Sequence, residues 1–167
     1  EEKKMLIRQV TMEDLEDIIR IENDNFSAEE AATSQALKER IEVIADTFLV
    51  AEQDGQIAGY VEGPVINSRY LTDDLFHKVK PNQEKSGYIA VTSLSVDKAF
   101  QKQGVGTTLL AALKDLTVAQ NRLGIHLTCH DYLISYYEMN GFSNEGLSES
   151  THGGTVWYNM IWENPKI

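Results

Sequence analysis

The sequence has one cysteine, Cys129, in 167 residues and contains no CxxC pair. A lone thiol cannot close an internal disulfide and offers no zinc knuckle, so we expect no metal site and a reducing compartment. No apolar run approaches the roughly 18 residues that a membrane span requires. The opening residues EEKKM carry no apolar signal-peptide core. These absences favour a cytoplasmic protein with no membrane partner.

Positive charge is also scarce, because 15 Lys and Arg residues face 26 Asp and Glu residues, for a net charge of -11. Nucleic-acid binding depends on clustered cationic side chains, so DNA and RNA are not expected partners. The length predicts a single domain over 1–167 that can bury its own core, as a monomer or a homodimer. The acidity serves solubility or attracts a cationic substrate, and composition leaves both open.

Hydrophobic periodicity predicts alternating strands and helices, with Asp54-Gly55 as a two-residue hairpin turn. A capping box at Thr11 and Asp14 opens the first helix, and the polar segment 22–27 is predicted to link it to the second helix as a substrate loop. The residues from 67 to 87 indicate a short helix in a variable loop. Strands are predicted at 5–10, 47–53, 56–66, 88–96, 125–129 and on both sides of Gly153-Gly154, and further helices at 28–44, 105–123 and 131–141.

The segment 93–106, SLSVDKAFQKQGVG, delivers a glycine loop to the start of the helix that begins at 105. Unpaired amides and the helix dipole favour a phosphate at such a position. Lys98 and Lys102 make the loop locally neutral to basic within an acidic chain. A Walker A loop would need Lys after Gly106, where Thr107 stands, and a dinucleotide fingerprint would need glycine at 109, where the sequence has leucine. The pattern therefore predicts a small anionic cofactor bound in another way.

Two motifs at matching separation identify the pattern, namely Gln101, Gly104 and Gly106 in Q-x-x-G-x-G, and Tyr137 with its following Gly141-Phe142. The chain resembles the GCN5-related N-acetyltransferase family, and within it the arylalkylamine branch. The resemblance implies an α/β fold with a mixed, mostly antiparallel sheet flanked by helices and splayed central strands. It also implies acetyl transfer from acetyl-CoA to the primary amine of a small molecule, by direct attack in a ternary complex.

The resemblance assigns cofactor residues along the same segment. The backbones of Leu94, Ser95 and Val96 would pair with the pantetheine arm, and an amide near Leu94 could donate to the thioester carbonyl. The pyrophosphate would be held by residues of the loop and the first helical turn: Gln101, Lys102, Gln103, Gly104, Val105, Gly106, Thr107 and Thr108.

Tyr137 would then serve the departing thiolate, as a general acid or as a hydrogen-bond donor. A phenol near pKa 10 is a weaker acid than a thiol near 8.5, so complete transfer is uphill by roughly 2 kcal/mol and the hydrogen bond is favoured. Phe26 and the neighbouring segment would line the amine pocket, as their counterparts do in the similar branch.

The chain departs from the arylalkylamine branch where that branch has a histidine pair as base, because Ala90 and Thr92 stand at those positions. Glu62 and His130 are the candidate replacements, with Glu52 as a further possibility. Two other readings stay open: an acyl-CoA-binding module without turnover, and a phosphate-loop nucleotide binder, which the missing lysine disfavours. A nucleophilic role for Cys129 is not expected, and the remaining histidines are interpreted as structural: His77, His126 and His152.

Overall fold

The computed structural model describes residues 4–167, and that part of the chain contains nine strands, four α-helices and six short 3-10 helices. The strands are β1 (Met5–Gln9), β2 (Phe48–Gln53), β3 (Gln56–Glu62), β4 (Val65–Ile66), β5 (Tyr88–Ala90), β6 (Ser93–Val96), β7 (Gly124–Cys129), β8 (Ser143–Leu147) and β9 (Tyr158–Glu163). The helices are α1 (Leu15–Asn25), α2 (Ser34–Val43), α3 (Val105–Ala119) and α4 (Ile134–Met139). None of these helices has the length and apolarity needed to cross a membrane.

The strands form two sheets, ordered β1-β2-β3-β6 and β4-β5-β7-β9-β8. Only β5 and β7 run parallel among the described pairs, and the other neighbours are antiparallel. This is the predicted mixed, mostly antiparallel arrangement, and it is confirmed.

Local sequence signals set several of the element ends. Asp54 and Gly55 both have positive φ, at 52° and 77°, as the predicted hairpin turn requires. The Thr11 amide donates to the Asp14 carboxylate at 2.8 Å, which forms the predicted capping box before α1. Thr33 caps α2 by accepting from the Ala36 amide at 3.1 Å. This cap explains why the second helix starts at Ser34 and not at Ala28, as the sequence predicted.

Two apolar clusters hold the layers together. Helix α3 buries Leu109, Leu110 and Leu113 completely, against residues of both sheets. Helices α1 and α2 cover the opposite side of the first sheet, with Ile18 and Leu37 fully buried there. Since α3 packs on β2, β3, β6 and β7, it ties the two sheets to one another.

Four other predicted boundaries need correction. The predicted strand 56–66 is divided into β3 and β4, which belong to different sheets. Helix α1 runs through Asn25, so most of the segment 22–27 is helical and not a loop. Helix α3 ends at Ala119 instead of 123, because Asn121 adopts a positive φ of 54° that breaks the helical path. The predicted strand 88–96 is divided into β5 and β6, which belong to different sheets.

Candidate active site between diverging strands

The division between β5 and β6 opens a gap in the middle of the molecule. The Val91 amide donates to the His126 carbonyl at 2.8 Å, and after this bond the chain leaves β7. The Thr92 amide bonds the Glu62 carbonyl at 2.9 Å although Glu62 is paired with Ser93 in the strand register. Thr92 and Ser93 therefore both lie opposite Glu62, which is the geometry of a β-bulge. A bulge changes the direction of the strand that contains the extra residue. Strand β6 continues on β3, while the end of β7 continues on β9.

The bulge leaves one edge of β6 open. The Asp97 amide donates to the Ala58 carbonyl. In an antiparallel ladder every second pair of opposite residues is hydrogen-bonded, so the next bonded pair is Ser95 with Tyr60. The backbone groups of Leu94 and Val96 consequently point toward the gap, whereas those of Ser95 are used within the sheet. Of the three predicted backbone partners, Leu94 and Val96 thus face the gap. The Val96 carbonyl, however, already accepts from the Asn25 side chain at 2.7 Å and from Gln101 at 3.2 Å, which leaves its amide for a ligand.

A cavity of about 110 Å³ fills the gap beside this edge. Its wall combines the bulge, the end of β7, α4 and three loop segments. The lining residues are Glu22, Phe26, Glu30, Phe76, Val91, Thr92, Ser93, Leu94, Leu127, Thr128, Cys129, His130, Leu133, Tyr137, His152 and Trp157. The structure therefore brings the predicted Phe26, His130 and Tyr137 to one cavity.

Tyr137 lies on α4 with only 8% of its surface exposed and packs edge-on against Phe142, with ring centroids 5.8 Å apart. Its hydroxyl has no hydrogen-bond partner among residues 4–167. Burial raises the pKa of Tyr137 above its ordinary value, and the neighbouring Tyr136 and Cys129 raise it further. A phenol with a raised pKa is a poor proton donor, so the site favours a hydrogen bond to a bound thiolate over complete proton transfer.

His130 follows β7 and lies at the edge of the cavity. Its Nε2 is 3.3 Å from a carboxylate oxygen of Glu30, and its ring stacks on Trp157 with centroids 4.3 Å apart. The imidazole is thus held between a carboxylate and an aromatic wall at the edge of the cavity.

Glu62 is fully buried but does not line this cavity. One of its oxygens accepts from Arg40 and from the Thr92 hydroxyl, each at 2.8 Å. The other oxygen, Oε2, has no hydrogen-bond partner within residues 4–167. Burial raises the pKa of Glu62, with the charge of Arg40 acting in the opposite direction. Its contact with the cavity is indirect, through Thr92. Glu52, the further candidate, lies on β2 and accepts from Arg8 at 3.1 Å.

Several lining residues were not predicted as site residues. Trp157 and His152 come from the loop between β8 and β9, and Phe76 from the segment before β5. The His152 ring stacks on Phe76 at 4.0 Å, and its Nε2 lies 3.0 Å from the Glu30 carbonyl. Loops carry no hydrophobic periodicity, so no sequence pattern predicts that these side chains converge.

His126 and Cys129, for which no catalytic role is predicted, are both buried. His126 accepts from the Leu71 amide at Nδ1 and lies 2.9 Å from the Asn159 side chain at Nε2. Burial lowers the pKa of His126 to about 4, which keeps the ring neutral. Burial raises the pKa of Cys129 to about 11, so this thiol is not a ready nucleophile.

The glycine loop lies at the other end of the β6 edge. Gly104 has a φ of 81°, and a Cβ on Gly106 would come within 2.6 Å of the Tyr136 hydroxyl. The loop and the start of α3 border a cleft of about 180 Å³ whose lining consists of Val96, Gln101, Lys102, Gly104, Val105, Gly106, Thr107 and Tyr136. The left-handed turn and the missing side chain leave the first amides of α3 accessible, and this fits a pyrophosphate.

Several polar side chains of the glycine loop form hydrogen bonds within the chain itself. The Gln101 side chain donates to the Val96 carbonyl at 3.2 Å, and the Thr108 hydroxyl donates to the Gly104 carbonyl at 2.8 Å. The Gln103 side chain approaches the Ala99 carbonyl at 3.5 Å. The Val105 side chain is buried in the core, so only its backbone can serve a ligand. Thr107 keeps its hydroxyl at the cleft, 3.4 Å from that of Tyr136.

A model of the Acetyltransferase (GNAT) family matches residues 15–142. The chain belongs to this family, and it is an N-acetyltransferase that takes its acetyl group from acetyl-CoA. The match includes the glycine loop, the diverging strands and Tyr137. Comparison with curated protein sequences gave no significant match.

Solved structures with the same fold match nearly the whole length of the chain. Ribosomal-protein-alanine N-acetyltransferase from Brucella melitensis is 23% identical, with a TM-score of 0.67 over 95% of this chain and 99% of that one. Arabidopsis thaliana Naa50, in complex with the bisubstrate analogue CoA-Ac-MVNAL, is 14% identical, with a TM-score of 0.70 over 95% and 98%. The Salmonella typhimurium protein yncA, with its cofactor acetyl-CoA, is 18% identical, with a TM-score of 0.69 over 98% and 95%. These likenesses confirm the fold, but they do not support the arylalkylamine branch in particular.

Proposed function

We propose that the protein acetylates the primary amine of a small molecule, which attacks acetyl-CoA directly in a ternary complex. The observation that carries this proposal is the closure of the cavity on its acceptor side. Three segments meet there: the α1–α2 loop, the segment before β5 and the β8–β9 loop. Phe76 stacks on His152, and His152 lies 3.0 Å from the Glu30 carbonyl. A further bond at 3.1 Å joins the Thr151 amide to Asp73.

This closure favours a small acceptor over a polypeptide. An extended peptide needs an open groove between the segments that flank the cavity, and here those segments are joined to each other. An amine of modest size fits a cavity of about 110 Å³ without separating them. The predicted Phe26 belongs to the wall that such an amine would contact.

The residues of the site have separate roles in this reaction. Acetyl-CoA supplies the thioester that the amine attacks. The loop amides from Gln103 to Thr107 hold the pyrophosphate, while the predicted Thr108 amide is instead bonded to the Gly104 carbonyl at 3.0 Å. The open edge of β6 aligns the pantetheine arm. The Leu94 amide donates to the thioester carbonyl, where negative charge develops. Tyr137 donates a hydrogen bond to the leaving thiolate.

His130 and Glu62 complete the proposal. His130 lines the cavity and can take up or release a proton at its mouth. Glu62 acts through Thr92 and Arg40, and Arg40 also donates to the Phe76 carbonyl at 2.6 Å, which positions one of the closing segments. The protein works in the cytoplasm as a monomer or a homodimer in this proposal.

A thiol-release screen with acetyl-CoA tests the proposed acceptor. We expect turnover with one or more of the arylalkylamines, polyamines and amino acids, and none with peptides offered as free N-termini or lysine side chains. Faster turnover with peptides than with every small amine would contradict the proposal. Calorimetry with CoA and with acetyl-CoA accompanies the screen, so that binding without turnover on any acceptor identifies an acyl-CoA-binding module.

A further inference from the structure

Three acidic side chains are buried in the described part of the chain, and they differ in their partners. Asp14 pairs with Arg8 at 2.9 Å, and Glu62 pairs with Arg40 at 2.8 Å. Glu22 is 2% exposed, and no Lys, Arg or His side chain lies within 4.0 Å of its carboxylate among residues 4–167. Buried charges are normally paired, so the unpaired carboxylate calls for a cation from outside the chain.

The hydrogen bonds of Glu22 fix its carboxylate without cancelling its charge. One oxygen accepts from the Ser93 hydroxyl at 2.8 Å and from the Tyr60 hydroxyl, and the other accepts from the Ala32 amide at 2.8 Å. All three donors are neutral. They hold the carboxylate in one orientation but supply no countercharge.

The position of Glu22 shows where the cation would come from. Glu22 lines the cavity beside the diverging strands, and it also lines a second cavity of about 180 Å³ that includes Thr92 and His77. Ser93, its hydrogen-bond donor, directly precedes Leu94, whose amide faces the reacting carbonyl. The aromatic walls formed by Phe26 and Trp157 suit the apolar part of an amine.

We propose that Glu22 is the counterion of the acceptor's ammonium group and the base that takes its proton. The inference rests on the proposed function, because it concerns the same cavity and the same acceptor. The N–H bond of the ammonium breaks, its electron pair stays on nitrogen, and the proton forms an O–H bond with the carboxylate. The neutral amine can then attack, and the proton leaves to water from the side of the second cavity.

The variant Glu22→Gln removes the charge and can keep the hydrogen bonds. The amide oxygen of glutamine can accept from the Ala32 amide, while its NH₂ group donates to the hydroxyl oxygens of Ser93 and Tyr60, which rotate to accept. The fold should therefore persist, as checked by circular dichroism and thermal unfolding. Asp14→Asn is the matched control, since it neutralises a buried carboxylate outside the cavity.

The first test measures binding without turnover. Calorimetry at pH 7 compares the affinity of 2-phenylethylamine, protonated at this pH, for the CoA complexes of the wild type, Glu22→Gln and Asp14→Asn. We expect Glu22→Gln to bind it at least ~30-fold more weakly and Asp14→Asn to bind it like the wild type. Equal affinity in the wild type and Glu22→Gln overturns the inference.

The second test isolates the proton. O-benzylhydroxylamine matches 2-phenylethylamine in size but is neutral at pH 7, because its oxygen withdraws electrons from the amino group. We expect Glu22→Gln to lose about 100-fold in kcat/KM with 2-phenylethylamine and less than about tenfold with O-benzylhydroxylamine. An equal loss with both probes overturns the role as base. Binding by the wild type without thiol release would instead contradict the proposed function while leaving the ammonium site intact.

Discussion

Tyr137 and Tyr136 are neighbours in sequence but stand in different surroundings. Tyr137 is buried and lines the cavity between β6 and β7 with an unbonded hydroxyl, whereas Tyr136 borders the cleft at the glycine loop, next to Gly106, where we propose that the pyrophosphate binds. The two hydroxyls can thus be removed separately, and each removal reports on one half of the site.

For Tyr137→Phe we expect kcat to fall between about 10-fold and 100-fold, because a hydrogen bond to a charged group contributes about 1.5–3 kcal/mol. The KM for acetyl-CoA should change little, since the bond forms only as the thiolate develops. Steady-state kinetics with Tyr136→Phe alongside provide the comparison, and that variant should keep its kcat. A Tyr137→Phe enzyme with full turnover would end the assignment.

The sequence predicted Tyr137 as a site residue through its fixed spacing from Gly141-Phe142, and in the structure Tyr137 lines the cavity. Glu22 could not be predicted as a site residue, and the reason is physical. Its position on α1 shows that it can face the core, but burial without a cationic partner depends on contacts with Tyr60, Ser93 and Ala32, which lie 10 to 71 positions away. Periodicity describes a single element and cannot report such contacts.

Among the elements, the start of α3 depends most closely on the absence of a side chain. A Cβ at Gly106 would meet the Tyr136 hydroxyl, which lies on a rigid ring from α4. Helix α4 is short and follows β7, so the pyrophosphate cleft is bordered by residues that are 30 positions apart in the chain. The packing of α3 against α4 therefore requires glycine at position 106.

We expect Gly106→Ala to raise the Kd for acetyl-CoA about tenfold, the equivalent of roughly 1.4 kcal/mol, by pushing Tyr136 into the cleft. The double variant Gly106→Ala/Tyr136→Phe lacks the clashing oxygen and should recover most of the affinity. Isothermal titration calorimetry measures the Kd for acetyl-CoA of the wild type, both variants and Tyr136→Phe, which together form a double-mutant cycle. Failure of the second substitution to restore any affinity would locate the effect in the ligand contact instead.

Element types were largely predictable, and their ends were less so. The hairpin at Asp54-Gly55 and the capping box at Thr11 follow from local chemistry that acts within a few residues. The break between β5 and β6 does not, because β-branched and apolar residues continue through 88–96 and the bulge arises from pairing with Glu62. The feature that creates the cavity is therefore one that strand patterning cannot show.

For the whole molecule, the buried neutral His126 links folding to pH. Burial lowers the pKa of His126 from 6.5 to about 4. As the pH falls, this histidine is therefore protonated in the unfolded chain before it is protonated in the folded protein. The stabilising contribution is complete above pH 6.5 and decreases by about 3 kcal/mol between there and pH 4. Urea unfolding at pH 7 and pH 4.5 measures the decrease.

The variant His126→Gln supplies the control for this effect. Glutamine can still accept from the Leu71 amide or donate to Asn159, but it does not titrate. We expect it to be less stable than the wild type at pH 7 and to show a shallower loss on acidification. Identical pH slopes in the two proteins would assign the acid sensitivity to other groups.

The two sides of the cavity are formed by different segments of the chain, and this separation affects how the substrate specificity of such proteins can evolve. The cofactor side is built by β6 and α3, while Trp157 and His152 on the acceptor side belong to the loop between β8 and β9. Mutations in that loop can accumulate in a duplicated copy without disturbing the glycine loop. A lineage can therefore acquire a new acceptor while it inherits its acetyl donor unchanged.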